Sequence, residues 1–149
     1  MALYFLDTSA LVKLYVREQG SDRMVALAAA AAGNRIAILS FAQVEFRSAL
    51  RRRQKAGDIP SGTADQLLDI FQLHVESRFS AQPVTDYMLD VACQLTDRYF
   101  LRALDAIQLA GYVNLRDSAV SEAPFFVSGD RELLAAATLE GAPVLDPSS

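Results

Sequence analysis

Cysteine is almost absent: Cys93 is the only one in 149 residues. No intramolecular disulfide can form, and a cysteine-rich zinc centre is excluded. Histidine is equally scarce, with His74 alone, so zinc is left without its usual donors. No stretch approaches the ~18–20 apolar residues needed to cross a bilayer. The opening Met-Ala-Leu-Tyr-Phe-Leu-Asp lacks a basic region and its apolar run stops at Asp7, so it does not read as a signal peptide. The expected location is cytoplasmic. Basic residues are outnumbered, 14 against 18 acidic, for a net charge of −4. That balance counts against a simple nucleic-acid binder, which is usually basic. What the chain has in plenty is apolar residues, 52% against 21% charged. This composition fits an ordered globular protein, and the length fits a single domain over residues 1–149.

Short apolar runs alternate with helix-like stretches. Residues 2–6, 36–39, 125–127 and 143–145 read as short buried strands, with 79–82 a weaker one. Helices are expected over 8–16, 21–32, from about 41 (with Ser40 as cap) to 56, 63–75, from about 86 to 99, 103–116 and 131–140. Gly33-Asn34 and Gly57 are natural helix stops, and Asp58 to Gly62 is the clearest turn. Residues 117–124 read as loop. This alternation implies an α/β fold with a mostly parallel sheet. In such sheets, sites form outside the carboxyl ends of strands, where strand order reverses.

Four acids fall where they can reach one such edge. Asp7 and Asp130 each follow a strand. Glu45 lies about one turn into the helix after the second strand. Asp105 is near the start of its helix. Each has a bland explanation. Asp7 and Asp130 are good N-caps, Asp105 suits a helix N-terminus, and Glu45 could pair with an arginine. Glu45 and Asp105 resist this more strongly. Glu45 shares a helix face with Phe41, Val44 and Ser48, and Asp105 stands among Leu104, Ala106, Ile107 and Leu109. An unpaired buried carboxylate is costly.

Taken together, the acids point to a hard divalent ion. An all-oxygen donor set selects Mg²⁺ or Mn²⁺. Carboxylates at close quarters repel each other without a cation, and their pKa values rise. With Mg²⁺ present, such a site activates water and stabilises the leaving oxygen of a phosphodiester. Four carboxylates equal the whole net charge of −4, so the acidic balance does not exclude a polyanionic substrate. Thr8, Ser9 and Ser128 are the nearest hydroxyls, placed either to cap helices or to hydrogen-bond the carboxylates and water on the ion. Ser128 is favoured, two residues before Asp130 at a strand end.

With these residues in view, the chain resembles PIN-domain ribonucleases of the VapC toxin type. The likeness is carried by Leu6-Asp7-Thr8-Ser9-Ala10-Leu11-Val12-Lys13-Leu14-Tyr15, by Ser40 to Leu50 around Glu45, by Leu101 to Ala110 around Asp105, and by Phe126 to Ala137 around Asp130. Gly141-Ala142-Pro143-Val144-Leu145-Asp146-Pro147 also fits. The resemblance implies a three-layer α/β/α PIN-like domain and a Mg²⁺- or Mn²⁺-dependent endoribonuclease. It implies a homodimer, and a cognate antitoxin whose tail covers the acidic groove. Asp7, Glu45, Asp105 and Asp130 match the family's acidic positions. Gln108 stands where many relatives have His, and no role follows from it.

Other residues carry weaker signals. Arg47, Arg51, Arg52 and Arg102 are candidate contacts for RNA phosphates. Arg53 and Lys55 fit a solvated helix face better. Lys13 could approach the acids from the first helix. His74 reads as helix-terminal or interfacial, and Cys93 as a small core or boundary residue. Two alternatives stand beside the nuclease. One is a PIN-fold module that binds RNA or protein without catalysis. The other is a phosphatase of the haloacid dehalogenase type, which resembles this chain in an Asp after the first strand and a late Gly-Asp. That chemistry resembles Asp-x-Asp, and position 9 here is Ser.

Overall fold

The computed structural model describes residues 2–119 and 121–149. Five strands form one sheet: β1 (Leu3–Leu6), β2 (Arg35–Leu39), β3 (Phe79–Gln82), β4 (Phe125–Val127) and β5 (Val144–Leu145). Their order is β3-β2-β1-β4-β5, and every neighbouring pair is parallel. Seven helices connect them: α1 (Thr8–Val12), α2 (Ser21–Ala28), α3 (Ala42–Lys55), α4 (Ser61–Ser77), α5 (Asp86–Tyr99), α6 (Ala103–Ser118) and α7 (Arg131–Leu139).

Alternation along the strands divides the core in two, because successive side chains leave opposite faces of a sheet. Phe5, Ala37, Leu39 and Phe126 pack with α5, α6 and α7 through Met88, Leu95, Leu109, Tyr112 and Leu133. Leu6, Ile36, Ile38 and Val127 pack the other way, with Leu11, Met24, Phe46, Leu50 and Phe71 from α1 to α4. The result is the three-layer α/β/α arrangement. Gly111 lets α6 lie close on β2: a Cβ there would sit 2.5 Å from a Leu39 methyl. No described helix is long and apolar enough to cross a membrane.

The sheet runs from β1 to β2 and β3 on one side and to β4 and β5 on the other. The strand order therefore reverses between β1 and β4, and the crevice at their carboxyl ends is the switch point of the fold. Asp7 follows β1 and Ser128 follows β4.

Several helix boundaries differ from expectation: α4 begins at Ser61, inside the expected turn, and α6 runs to Ser118, two residues into the expected loop. α1 ends at Val12 rather than Val16, and the chain continues in tight i→i+3 turns, Leu14 N to Leu11 O and Tyr15 N to Val12 O. Tyr15 is thereby turned onto Phe46 and Phe71. α2 stops at Ala28, and a 3₁₀ turn covers Ala30–Ala32. These alanines are exposed, so strong intrinsic propensity finds no packing to sustain a helix. Ser40 is not the cap of α3: Phe41 holds that position without a side-chain bond. The Ser40 carbonyl instead accepts from the Gln43 backbone N–H at 3.2 Å and its side-chain Nε2 at 3.0 Å.

Candidate active site

Asp7 is held by four contacts, two from the end of β4 and two from α1. Its N–H donates to the Val127 carbonyl of β4 at 3.1 Å. Its Oδ1 accepts from Ser9 Oγ at 2.7 Å and from the Ala10 N–H at 3.0 Å. Its Oδ2 accepts from Ser128 Oγ at 2.6 Å. Asp7 is thus an N-cap, but only one oxygen serves that purpose. The side chain is buried, and burial pushes its carboxyl up to about 6. The bonds from Ser128, Ser9 and Ala10 oppose the shift, and the charge of Asp105 adds to it.

Ser128 and Ser9 join Asp7 to the loop carrying Asp130. Ser128 Oγ accepts from the Asp130 N–H at 3.0 Å, and Ser9 Oγ accepts from the Gly129 N–H at 2.9 Å. Asp130 caps α7, its Oδ1 accepting from the backbone of Glu132 and Leu133 at 2.9 and 3.2 Å. Its Oδ2 has no protein partner among the described residues.

Glu45 is fixed from two other elements. Its Oε1 accepts from Thr8 Oγ1 at 2.7 Å and from Gln108 Nε2 at 3.2 Å. Gln108 Nε2 also lies 3.2 Å from Thr8 Oγ1. Gln108 is buried, and its Oε1 has no hydrogen-bond partner. A buried orphan acceptor costs roughly 1–3 kcal/mol, so the amide is held there against a penalty. Glu45 Oε2 is without a protein partner among the described residues. The apolar stripe expected around Glu45 is not present: Val44 is 71% exposed and Ser48 also faces solvent. The core face of α3 is Ala42, Phe46 and Leu50. Glu45 is therefore half-buried at the rim of the crevice rather than sunk in apolar packing.

Asp105 is likewise half-buried in the first turn of α6. Burial raises its carboxyl above the ordinary range, with Asp130 and then Glu45 adding to the rise. Arg102 opposes it through a loose contact at 3.6 Å from a largely exposed guanidinium. Asp105 is thus the acid through which the others are linked, to Asp7 as well as to Asp130 and Glu45. Among the described residues, however, no three His, Cys, Asp or Glu side chains stand as a preformed cage for one ion. Mutual repulsion favours such spacing where hydroxyls and amides are the only compensation.

The donor set nevertheless fits a hard cation. It is all oxygen, has no thiolate or imidazole, and leaves Glu45 and Asp130 each with one oxygen free of protein hydrogen bonds. His74 is engaged elsewhere, 2.6 Å from the Tyr15 hydroxyl through Nδ1 at the end of α4. Cys93 is exposed on α5, not in the core.

The arginines divide in a way that helix periodicity did not indicate. Arg51 pairs with Asp65 at 2.9 Å, between α3 and α4. Arg47 lines a separate groove with Gln43 and Gln72, and Arg52 is exposed. Arg53, expected on a solvated face, is part-buried and pairs with Glu18 at 2.6 Å. Lys13 was expected to approach the acids and lines the cleft with Asp130; Gln108 was noted without a role, and Glu18 and Arg53 were missed as site neighbours. Gln108 gave one signal, a polar residue on the buried face of α6; the long-range pairing of Glu18 with Arg53 gave none.

A PIN-domain family model matches residues 4–122. That span contains Asp7, Glu45 and Asp105 and ends before Asp130. No curated protein matches the chain. Several solved structures share its fold. The VapBC2 complex of Rickettsia felis, bound to a DNA fragment from their promoter, includes a chain with TM-score 0.66 and 14% identity, the match covering 97% of this chain and 98% of that one. PAE2754 of Pyrobaculum aerophilum matches with TM-score 0.63 and 24% identity over 98% of this chain and 90% of that chain. VapBC-5 of Mycobacterium tuberculosis, a member of the VapBC family of toxin-antitoxin systems, gives TM-score 0.55 at 18% identity, over 98% of both chains. The haloacid dehalogenase alternative falls away. Because the family model runs from β1 to the segment just ahead of β4, the chain belongs to the PIN-domain family.

Proposed function

We propose that the chain is a Mg²⁺- or Mn²⁺-dependent endoribonuclease, formed as a single PIN-like domain over residues 1–149 and acting in the cytoplasm as the toxin of a toxin–antitoxin pair. The observation that supports this reading is the coupling of Asp105 with Asp7, Asp130 and Glu45 near the switch point of a parallel sheet, in a family whose model spans most of the chain. Burial raises the Asp7 and Asp105 carboxyls; the charge of Asp105 adds to the first rise, and those of Asp130 and Glu45 to the second, a cost that a divalent cation relieves.

Asp7, Glu45, Asp105 and Asp130 would hold the ion. Bound there, Mg²⁺ or Mn²⁺ supplies Lewis acidity, lowering the pKa of water and stabilising charge on the leaving oxygen of a phosphodiester. The protein's own part is orientation. Ser9 and Ser128 fix both oxygens of Asp7. Thr8 and Gln108 both donate to Oε1 of Glu45, leaving Oε2 free of protein hydrogen bonds among the described residues. The amides opening α7 fix Oδ1 of Asp130 in the same manner. Such supporting bonds set ligand geometry and are worth about 10–100-fold in metal affinity.

The antitoxin partner rests on the solved relatives, one of which is a member of a toxin-antitoxin family, and the homodimer rests on family resemblance. Purified protein should cleave RNA with Mg²⁺ or Mn²⁺ and stop on addition of EDTA. Asp7→Asn should abolish cleavage while the circular dichroism spectrum stays native. Full activity of that variant would remove Asp7 from the mechanism. Co-expression with the product of the adjacent reading frame should yield a stable, inactive complex.

A further inference from the structure

A cleft of ≈490 Å³ opens beside Asp130, lined also by Ser9, Gly129, Lys13, Glu18 and Arg53. Lys13 Nζ donates to Glu18 Oε1 at 3.1 Å and to the Gln19 carbonyl at 2.8 Å. Arg53 Nη2 donates to Glu18 Oε2 at 2.6 Å. One carboxylate therefore holds two cations, each on its own oxygen, and the group keeps one positive charge in excess. Its donor capacity is not exhausted. An ammonium has three N–H groups and a guanidinium five, and most of the Arg53 donors have no protein partner among the described residues. Lys13 is largely sequestered, with 11% of its side chain exposed.

The group lies in line with the acids. Glu45, Ala49 and Arg53 follow at i, i+4 and i+8 on α3, one stripe of the helix, so Arg53 stands about 12 Å along the axis from Glu45. Ala49, which also lines the cleft, adds only a methyl group between them. The Lys13 stem lies against Gly129: a Cβ there would be in ordinary contact with Lys13 Cε at 3.5 Å and with its Nζ at 3.9 Å. The ammonium is therefore beside the residue that precedes Asp130. A polyanion approaching four carboxylates is repelled, so it needs cations within reach of the reacting bond. Arg51 is paired towards α4, whereas Lys13 and Arg53 line the same cleft as Asp130.

We propose that Lys13 and Arg53 form a phosphate-binding subsite for the RNA strand next to the scissile bond, with Glu18 holding both side chains in place. This rests on the nuclease function proposed above. The test uses full-length protein carrying Asp7→Asn, a labelled single-stranded RNA of mixed sequence, and fluorescence anisotropy across a salt series. Adding Arg53→Gln should weaken binding several-fold and reduce the slope of log Kd against log[salt] by about 0.7, the value for one phosphate contact on a single strand. Arg53→Lys should restore most of the slope, because it keeps the charge. Lys13→Met should lower the slope similarly, and melting curves for each variant separate this from unfolding of the 13–20 segment. An unchanged slope in folded Arg53→Gln would overturn the subsite while leaving the nuclease reading intact. Absence of RNA binding by the Asp7→Asn parent, together with absence of cleavage by the wild type, would overturn both.

Discussion

Replacing Asp7 with Asn should make the metal-free protein more stable at neutral pH, although it removes one of two acceptor oxygens. Burial raises the Asp7 carboxyl from 3.8 to about 6. At about 1.4 kcal/mol per pKa unit, ionising this group in the fold costs roughly 3 kcal/mol. The sign follows from proton binding. The native state holds the Asp7 proton more tightly than the unfolded chain, so the stabilising contribution is full below pH 3.8 and is lost as pH rises through about 6. Linkage then places roughly 2 kcal/mol of the loss between pH 4.5 and 7.5. Asn avoids the charge but keeps only one acceptor oxygen for Ser9, Ala10 and Ser128. That deficit costs about 1 kcal/mol. The expected net gain for Asp7→Asn at pH 7.5 is therefore about 1–2 kcal/mol, shrinking to zero or reversing at pH 4.5. Urea unfolding in EDTA, followed by circular dichroism at both pH values, measures the difference. Saturating Mn²⁺ should close the gap by stabilising the wild type alone. A variant less stable than wild type at pH 7.5, by an amount independent of pH, would show that Asp7 is primarily a cap and refute the electrostatic account.

Three further outcomes are expected. Asp105→Asn should raise the melting temperature in EDTA, since burial, Asp130 and Glu45 all disfavour its charged form; a large fall would mean that the Arg102 contact matters more than the repulsion. Gln108→Leu should change stability by less than about 1 kcal/mol, because it removes an orphan acceptor along with two hydrogen bonds. Calorimetric titration should nonetheless show Mn²⁺ binding weakened by about 10-fold or more, and unchanged affinity would remove Gln108 from the positioning of Glu45. Gly111→Ala should cost about 1–3 kcal/mol in chemical unfolding, since its Cβ would meet Leu39 at 2.5 Å; a neutral result would mean that α6 shifts freely on the sheet.

The short apolar runs disclosed all five strands, and two acids, Asp7 directly after β1 and Asp130 three residues beyond β4, pointed to the sheet edge where the crevice lies. Local signals sufficed for these. They failed where the outcome depended on contacts between distant segments. Val44 belonged to an apolar stripe on paper but faces solvent at 71% exposure, because the α3 face chosen by the core is that of Ala42, Phe46 and Leu50. The alanine run at residues 28–32 had ample helix propensity and no surface to pack on. Arg53 resembled any surface arginine until Glu18, 35 residues earlier, was brought beside it. Gln108 lies 100 residues from Thr8, a relation that no periodicity encodes.

The register of two short strands determines how the acids meet. Leu6 of β1 pairs with Val127 of β4, so the next residues along each strand, Asp7 and Ser128, come side by side. Their side chains then meet at 2.6 Å, and the Ser128 hydroxyl accepts from the Asp130 amide. A slip of one residue would break this link. It would also turn Phe126 out of the layer it shares with Phe5 and Tyr112 and drive Val127 into it. The stacked Phe5–Phe126 pair, at 5.9 Å between ring centres, thus guards the register that places Asp7 against Ser128. Core packing on one face and the arrangement of carboxylates at the strand ends are consequences of the same pairing. Substitutions that loosen Phe126 should therefore disturb the acids without touching any of them.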